Sequence, residues 1–216
     1  MKLSKQEAVD IAIKCGSEYK SKLCNTSVLI IYRDRASNKL LYLELLFYPS
    51  NFQHLTGLIM VDKNGMPKEG CAKEFYKKCV SVPHLTSKEI RFKEDGTTPL
   101  KLVSLSALMD LTKITKICGD YNSSKKNIQA DALVGGVNFS LAISKYDNYT
   151  GTYFPRSVLL EDIRNLVVNP SQVLAIFQKP INSKEKYEEV KYVAKGVNIL
   201  RIDFPDYIDS LIDLTK

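Results

Sequence analysis

Leu40-Leu41-Tyr42-Leu43-Glu44-Leu45-Leu46-Phe47 reads as a strand, an apolar run broken only by Glu44. It leads straight into Tyr48-Pro49-Ser50-Asn51-Phe52-Gln53-His54-Leu55-Thr56-Gly57-Leu58, after which Ile59-Met60-Val61 resumes strand chemistry. His54, one of two histidines in the chain, therefore stands between two predicted strands. Upstream, Val28 to Arg33 is a second β-rich run. The polar connector Asp34-Arg35-Ala36-Ser37-Asn38-Lys39 joins it to Leu40 in a pattern that suits a hairpin.

Helical spacing brackets this hairpin. Ala8, Val9, Ala12, Ile13 and Tyr19 repeat through Lys5 to Leu23, with Ser4 placed as cap and Glu7 at the capping-box position. Asp62-Lys63-Asn64-Gly65-Met66-Pro67 is loop chemistry, and Lys68 to Val80 reads as another helix. Leu100 to Ile117 keeps apolar residues at three and four spacing over about five turns and is expected to end at Cys118-Gly119. The second half changes character. Ile128 to Val134, Val137 to Ser144, Tyr153 to Leu160, Val173 to Gln178 and Tyr187 to Val193 read as successive strands, with a tight turn at Gly135-Gly136. The expected class is α+β: N-terminal helices with a β-hairpin, then a mainly antiparallel β-sheet packed on helices, and a C-terminal helical tail from Pro205 to Leu214. One elaborated domain is expected over residues 1–216, with a core at 25–193 and an extension at 194–216.

Composition narrows the partners. At 216 residues and 44% hydrophobic content the chain can bury a proper core. Thirty-one Lys and Arg against 24 Asp and Glu give a net charge of +7 and a pI near 9.0, which favours a polyanion such as RNA or DNA. The five cysteines are odd in number and lie at no metal-ligand spacing, so they are expected to be reduced thiols in a cytoplasmic protein. No run reaches membrane-spanning length and the N-terminus lacks the apolar core of a signal peptide. There is no Gly-rich phosphate loop, no histidine pair at metal spacing, no zinc-type cysteine pair and no Gly-x-Ser-x-Gly elbow. No metal and no cofactor is expected.

Two polar constellations carry the candidate chemistry. In the first, Asn51, Gln53, His54 and Thr56 place four polar side chains between apolar segments, and His54 is a candidate acid or base. A histidine beside a glycine can also simply fix a turn. In the second, Tyr149-Thr150-Gly151-Thr152-Tyr153-Phe154-Pro155-Arg156-Ser157, the Arg156 guanidinium suits a phosphate and Tyr153 or Ser157 can add a neutral donor. The alternative is an edge strand whose Arg156 pairs with Glu161 or Asp162. Lys179 supplies a further cation, and Lys125 and Lys126, in the polar segment after Gly119, suit transient phosphate contact. His84 repeats the His-Leu-Thr tripeptide in a loop context, either as a structural residue or as a partner of His54.

Asn51-Phe52-Gln53-His54-Leu55-Thr56-Gly57 after Phe47-Tyr48, the later Tyr153-Phe154-Pro155-Arg156-Ser157-Val158-Leu159-Leu160, and the strand ending Gln178-Lys179 with Tyr187 beyond together resemble the phage-associated barnase, EndoU, colicin E5/D and RelE-like nucleases, specifically their fourth group. The resemblance implies N-terminal helices, a C-terminal antiparallel sheet and a metal-independent ribonuclease. On it, His54 matches the family histidine, Arg156 and Ser157 its late polar positions, and Lys179 a further cation. Metal-free cleavage needs a base for the 2′-hydroxyl proton, cations for the phosphorane and an acid for the leaving 5′-oxygen. The expected partner is RNA, transfer or ribosomal, together with an inhibitor or immunity protein, and no membrane. Two other classes remain open: a non-catalytic module that binds nucleic acid or protein, and an ADP-ribosyltransferase using NAD, for which no catalytic glutamate stands out.

Overall fold

Helix α1 (Lys5–Lys22) opens with the expected capping box. Ser4 Oγ accepts from Glu7 N at 3.2 Å, and the Glu7 carboxylate accepts from Ser4 N at 2.8 Å. Its buried face, Ala8, Val9, Ala12, Cys15 and Tyr19, faces the rest of the chain. The hairpin follows as β1 (Thr26–Arg33) and β2 (Leu40–Phe47), paired antiparallel from Thr26↔Phe47 to Arg33↔Leu40. Then come α2 (Asn51–Thr56), β3 (Leu58–Met60), α3 (Ala72–Val80), β4 (Ile90–Phe92), α4 (Thr98–Leu108) and α5 (Leu111–Ile114). The second half supplies β5 (Ile117–Tyr121), β6 (Ala132–Gly135), β7 (Ser140–Lys145), β8 (Thr152–Leu159), β9 (Val167–Pro180), β10 (Glu189–Val193) and α6 (Asp206–Asp209). The computed structural model describes residues 3–125, 128–146 and 151–215.

The strands form the mainly antiparallel sheet expected from sequence, but they curl it into a closed ring. They run β1-β2-β8-β7-β6-β5-β9, and β9 returns to pair with β1, closing a seven-stranded barrel; β10 adds to β9 outside the ring. Closure leaves few bare edges. It depends on the length of β9: its first half pairs with β5 over Val167–Gln172 and its second with β1 over Gln172–Pro180. Register shifts between Cys118 and Asp120 and between Ile31 and Tyr32 supply the bends. Every pairing in the ring is antiparallel except β2 with β8, which is parallel and has two registered pairs, Glu44↔Thr152 and Leu45↔Tyr153.

Inward-facing residues of the barrel, among them Val28, Ile30, Leu45, Val134, Leu141, Ile143, Val158 and Ile176, form one core cluster with α1, α3 and α4. The other face of β1 and β9, with Leu29, Ile31 and Phe177, is covered by Tyr187, Ile208 and Ile212. The Tyr187 hydroxyl fastens this cover by donating to Glu44 Oε1 at 2.6 Å, and it lies 2.5 Å from Ser27 Oγ.

The long helix expected over Leu100 to Ile117 is the clearest correction. It breaks at Met109 and Asp110 into α4 and α5, and Ile117 already belongs to β5. An apolar segment buried on several sides has no periodicity to distinguish helix from strand, and its last third is rich in β-branched Thr112, Ile114, Thr115 and Ile117. Gly119 is not a helix cap either: a Cβ there would lie 3.0 Å from Val167 Cβ and Val168 O, so glycine permits the close approach of β5 and β9. The helix expected from Lys68 begins at Ala72, because Lys68 N is tied to Met60 O at 2.9 Å. The C-terminal tail is helical only at Asp206–Asp209. Beyond it, the chain exchanges backbone hydrogen bonds with Tyr187, from Tyr187 N to Leu211 O and from Asp213 N to Tyr187 O.

Candidate functional site

The polar residues after β2 fold into α2 for local reasons. Asn51 Oδ1 accepts from Tyr48 N at 2.7 Å, turning the chain, and Tyr19 holds the same turn by donating its hydroxyl to Tyr48 O at 3.0 Å. Phe52 and Leu55, both 0% exposed, anchor α2 on the core. Thr56 ends it: its Oγ1 donates to Gln53 O at 2.7 Å and accepts from Leu58 N at 3.0 Å. Gly57 then takes φ +69, the left-handed conformation that terminates helices. With one face of α2 committed to the core, His54 points the other way, into a cleft.

The cleft measures about 800 Å³ and lies between α2, the start of α4 and β8. Thr98 fixes two of these walls to each other. Fully buried, its Oγ1 accepts from Lys93 N at 2.9 Å and donates to Gly57 O at 2.8 Å, tying the loop before α4 to the end of α2. Lys93 and Lys101 line the cleft from this side. Opposite them, β8 contributes Arg156 and Ser157, consecutive residues that an undistorted strand would send to opposite faces. A bulge resolves this: Ile143 pairs with Pro155 and Ala142 with Ser157, leaving Arg156 as the extra residue, re-aimed into the cleft. Arg156 Nη2 donates to Gln129 Oε1 at 2.8 Å and the guanidinium lies 5.5 Å from the centroid of Phe154. Asp162 pairs instead with Arg164 at 2.6 Å. Leu100 and Leu160, 61% and 54% exposed, add an apolar wall with Phe154 and Ile128.

Electrostatics distinguishes His54 from a surface histidine. Partial covering by the cleft walls, then the guanidinium of Arg156 and the ammoniums of Lys93 and Lys101, hold its pKa below the usual 6.5. Among the described residues no hydrogen bond occupies its ring. This environment favours the neutral imidazole, whose ring is open to accept a proton beside three cations. Asp95, at the rim, accepts from Thr97 N at 3.0 Å and Thr97 Oγ1 at 2.7 Å, and these bonds keep its carboxyl ionised to lower pH than usual.

A smaller hollow of about 280 Å³ shares the His54 and Lys93 walls and continues on the other side, past Gln53, Leu58 and Cys71. Gln53 Nε2 reaches only long contacts there, 3.5 Å to Leu58 O and 3.6 Å to Cys71 Sγ. His54, Asn51, Arg156 and Ser157 therefore meet in one cleft, with Gln53 next door. The remaining expected site residues lie elsewhere. Thr56 is fully buried as a helix terminator. Tyr153 is 7% exposed and belongs to the barrel core, because strand alternation turns it away from the cleft. Lys179, at the far end of β9, lines a separate hollow with Lys22 and Lys113; its ammonium donates to Glu185 O at 2.8 Å and sits 4.3 Å from the Tyr187 ring centroid. Lys125 is an exposed turn residue outside the cleft lining, and Lys126 lies outside the described residues, as do Tyr149 and Thr150. His84 is exposed on the loop after α3, its Nδ1 3.4 Å from Lys78 O.

Lys93 and Lys101 were not singled out by the sequence reading. Nothing local marks them: Lys101 sits inside an apolar helical stretch 47 residues from His54, and it is the tertiary packing of α4 on α2, fixed in part by the Thr98 tie, that brings the two together. Among the described residues no cluster of three or more His, Cys, Asp or Glu is placed to hold a metal ion, and no helix is long and apolar enough to cross a membrane. The profile of a family described as phage-Barnase-EndoU-ColicinE5/D-RelE like nuclease4 matches residues 13–195 of the chain, a span that includes every cleft residue named above. No curated protein and no solved structure matches it.

Proposed function

Because the chain belongs to this phage-Barnase-EndoU-ColicinE5/D-RelE like nuclease family, whose substrate is nucleic acid, we propose that it is a ribonuclease that cleaves by 2′-hydroxyl attack without a metal ion. The observation that carries this reading is the single neutral imidazole of His54 beside Lys93, Lys101 and Arg156 in a cleft with an apolar wall. In that reaction His54 takes the proton of the 2′-hydroxyl. The 2′-oxygen attacks phosphorus, and the O2′–P bond forms as the P–O5′ bond breaks. Arg156, a planar two-pronged donor, and Lys93 neutralise the charge that builds on the phosphorane oxygens. Phe154, Leu100 and Leu160 offer a base an apolar surface to lie on. The hollow at Gln53 meets the main cleft at His54, so a strand can cross the histidine with a nucleoside on each side.

The deciding experiment incubates the purified protein with transfer and ribosomal RNA in EDTA and sequences the fragment ends. Fragments ending in 2′,3′-cyclic phosphate, absent with His54→Ala, support the reading. Intact RNA that nonetheless binds the protein turns it into a non-catalytic nucleic-acid module. Arg156→Ala is expected to weaken RNA binding and to lower the slope of log affinity against log salt by about one, as for loss of one phosphate contact; an unchanged slope removes Arg156 from the phosphate site.

A further inference from the structure

Cleavage by a 2′-hydroxyl moves two protons, one from the nucleophile and one to the leaving oxygen. His54 provides for the first. Of the two histidines, His84 lies outside the cleft, so the second transfer requires a different kind of group. Lys101 is placed for it. It projects from the first turn of α4 across the end of α2, its stem so close that a Cβ on Gly57 would lie 2.8 Å from Lys101 Cδ. Gly57 therefore serves a second purpose besides ending the helix: it leaves room for this side chain. The ammonium lies 3.5 Å from His54 O, a long bond to the backbone of the base residue itself, and makes no ion pair among the described residues. It is thus on the cleft surface next to His54, with donor capacity unspent.

We propose that Lys101 is the general acid of the cleft, donating a proton from Nζ to the departing 5′-oxygen. This assignment rests on the ribonuclease reading. The step balances: His54 gains the 2′-hydroxyl proton, O2′–P forms, P–O5′ breaks with its electron pair on O5′, and Lys101 supplies the proton that makes the 5′-hydroxyl. The products are a 2′,3′-cyclic phosphate and a free 5′-hydroxyl. Lys101 leaves neutral and His54 charged, and exchange with water restores both. The charged and titratable groups that line the cleft with Lys101 are Lys93, Asp95, His54, Arg156 and, at the end of the β8 wall, Glu161. Burial first, and the neighbouring Lys93 second, bring the lysine down to about 8, with Asp95 acting in the opposite sense. A lysine so lowered is still protonated at pH 7 and gives its proton up more readily than an ordinary one.

The test pairs two substrates with three variants. On RNA, Lys101→Met is expected to cut about 10²-fold or more slowly than wild type, at an unchanged melting temperature. On a nucleoside 3′-(4-nitrophenyl phosphate), whose leaving group departs without a proton, Lys101→Met is expected to run near the wild-type rate while His54→Ala stays slow. Lys101→Arg, which keeps the charge but holds its proton too tightly, is expected to behave like Lys101→Met on RNA. If Lys101→Arg restores RNA cleavage, or Lys101→Met is equally slow on both substrates, the lysine acts through its charge and the assignment falls. If wild type cuts neither substrate, the ribonuclease reading fails and takes this one with it; if wild type cuts RNA and Lys101→Met matches it, only Lys101 is dismissed.

Discussion

His54→Ala is expected to slow RNA cleavage by about 10²–10⁴-fold, the usual worth of a positioned proton-transfer group, and to leave the thermal melt unchanged. The separation follows from how the residue is held. Its neighbours Phe52, Leu55 and Thr56 carry the fold of α2, all at 0% exposed, whereas the imidazole opens on the cleft without a described hydrogen-bond partner. Such surface substitutions change stability by about 0.5 kcal/mol or less. The pH profile adds a second check. A base whose pKa is held below 6.5 by burial and by Arg156, Lys93 and Lys101 stays active down to pH values where a free imidazole is already charged. Protonation below that lowered pKa removes it, so the rate falls on the acid side. In Arg156→Ala one of the opposing cations is gone, the imidazolium is less disfavoured, and the acid limb moves to higher pH. A variant whose limb stays put, or a His54→Ala protein that unfolds, refutes the placement of His54 as a base within this cation group.

Phe52→Ala is expected to cost about 3–5 kcal/mol, the range for truncating a fully buried aromatic. In a chain of this size that lowers the melting temperature by roughly 6–20 °C. Phe52 lies at the centre of an aromatic cluster, its ring centroid 5.1 Å from Tyr19, 5.8 Å from Tyr76 and 6.3 Å from Phe75. These residues come from α1 and α3, so the cavity opens between three helices. It also loosens α2 itself, two residues before His54. Activity should therefore fall even at temperatures where the variant remains folded, which urea titration and a rate measurement on the same sample would separate. A melting temperature within a degree or two of wild type would mean that the helices repack around the gap.

How far the sequence leads depends on whether the signal is local. The Ser4 and Glu7 capping box marks the start of α1 correctly because both partners lie within one turn. The apolar, β-rich runs at Val28–Arg33 and Leu40–Phe47 give the hairpin because a short connector leaves little choice of register. Barrel closure has no such marker. It depends on β1 meeting β9 some 150 residues later, as in Val28↔Gln178, and on a parallel contact between β2 and β8. The site divides in the same way. His54 and Arg156 are legible as residue types in polar settings, while the bulge that turns Arg156 and Ser157 to one side shows only in the pairing of β7 with β8. Tyr153 and Lys179 have suitable chemistry but the wrong direction, one facing the core and the other the far end of β9.

The parallel contact between β2 and β8 bears on how the molecule handles a long polymer. These strands feed the two sides of the cleft: β2 runs directly into α2 and His54, and β8 carries Arg156. Yet they are stitched by only two registered pairs, Glu44↔Thr152 and Leu45↔Tyr153, against eight between β1 and β2. The two walls of the cleft are thus joined where the ring has its fewest registered pairs among the described residues. In the proposed ribonuclease a strand lying between these walls meets the part of the ring with the fewest backbone pairs, while the eight pairs of β1 with β2 fix the wall behind it.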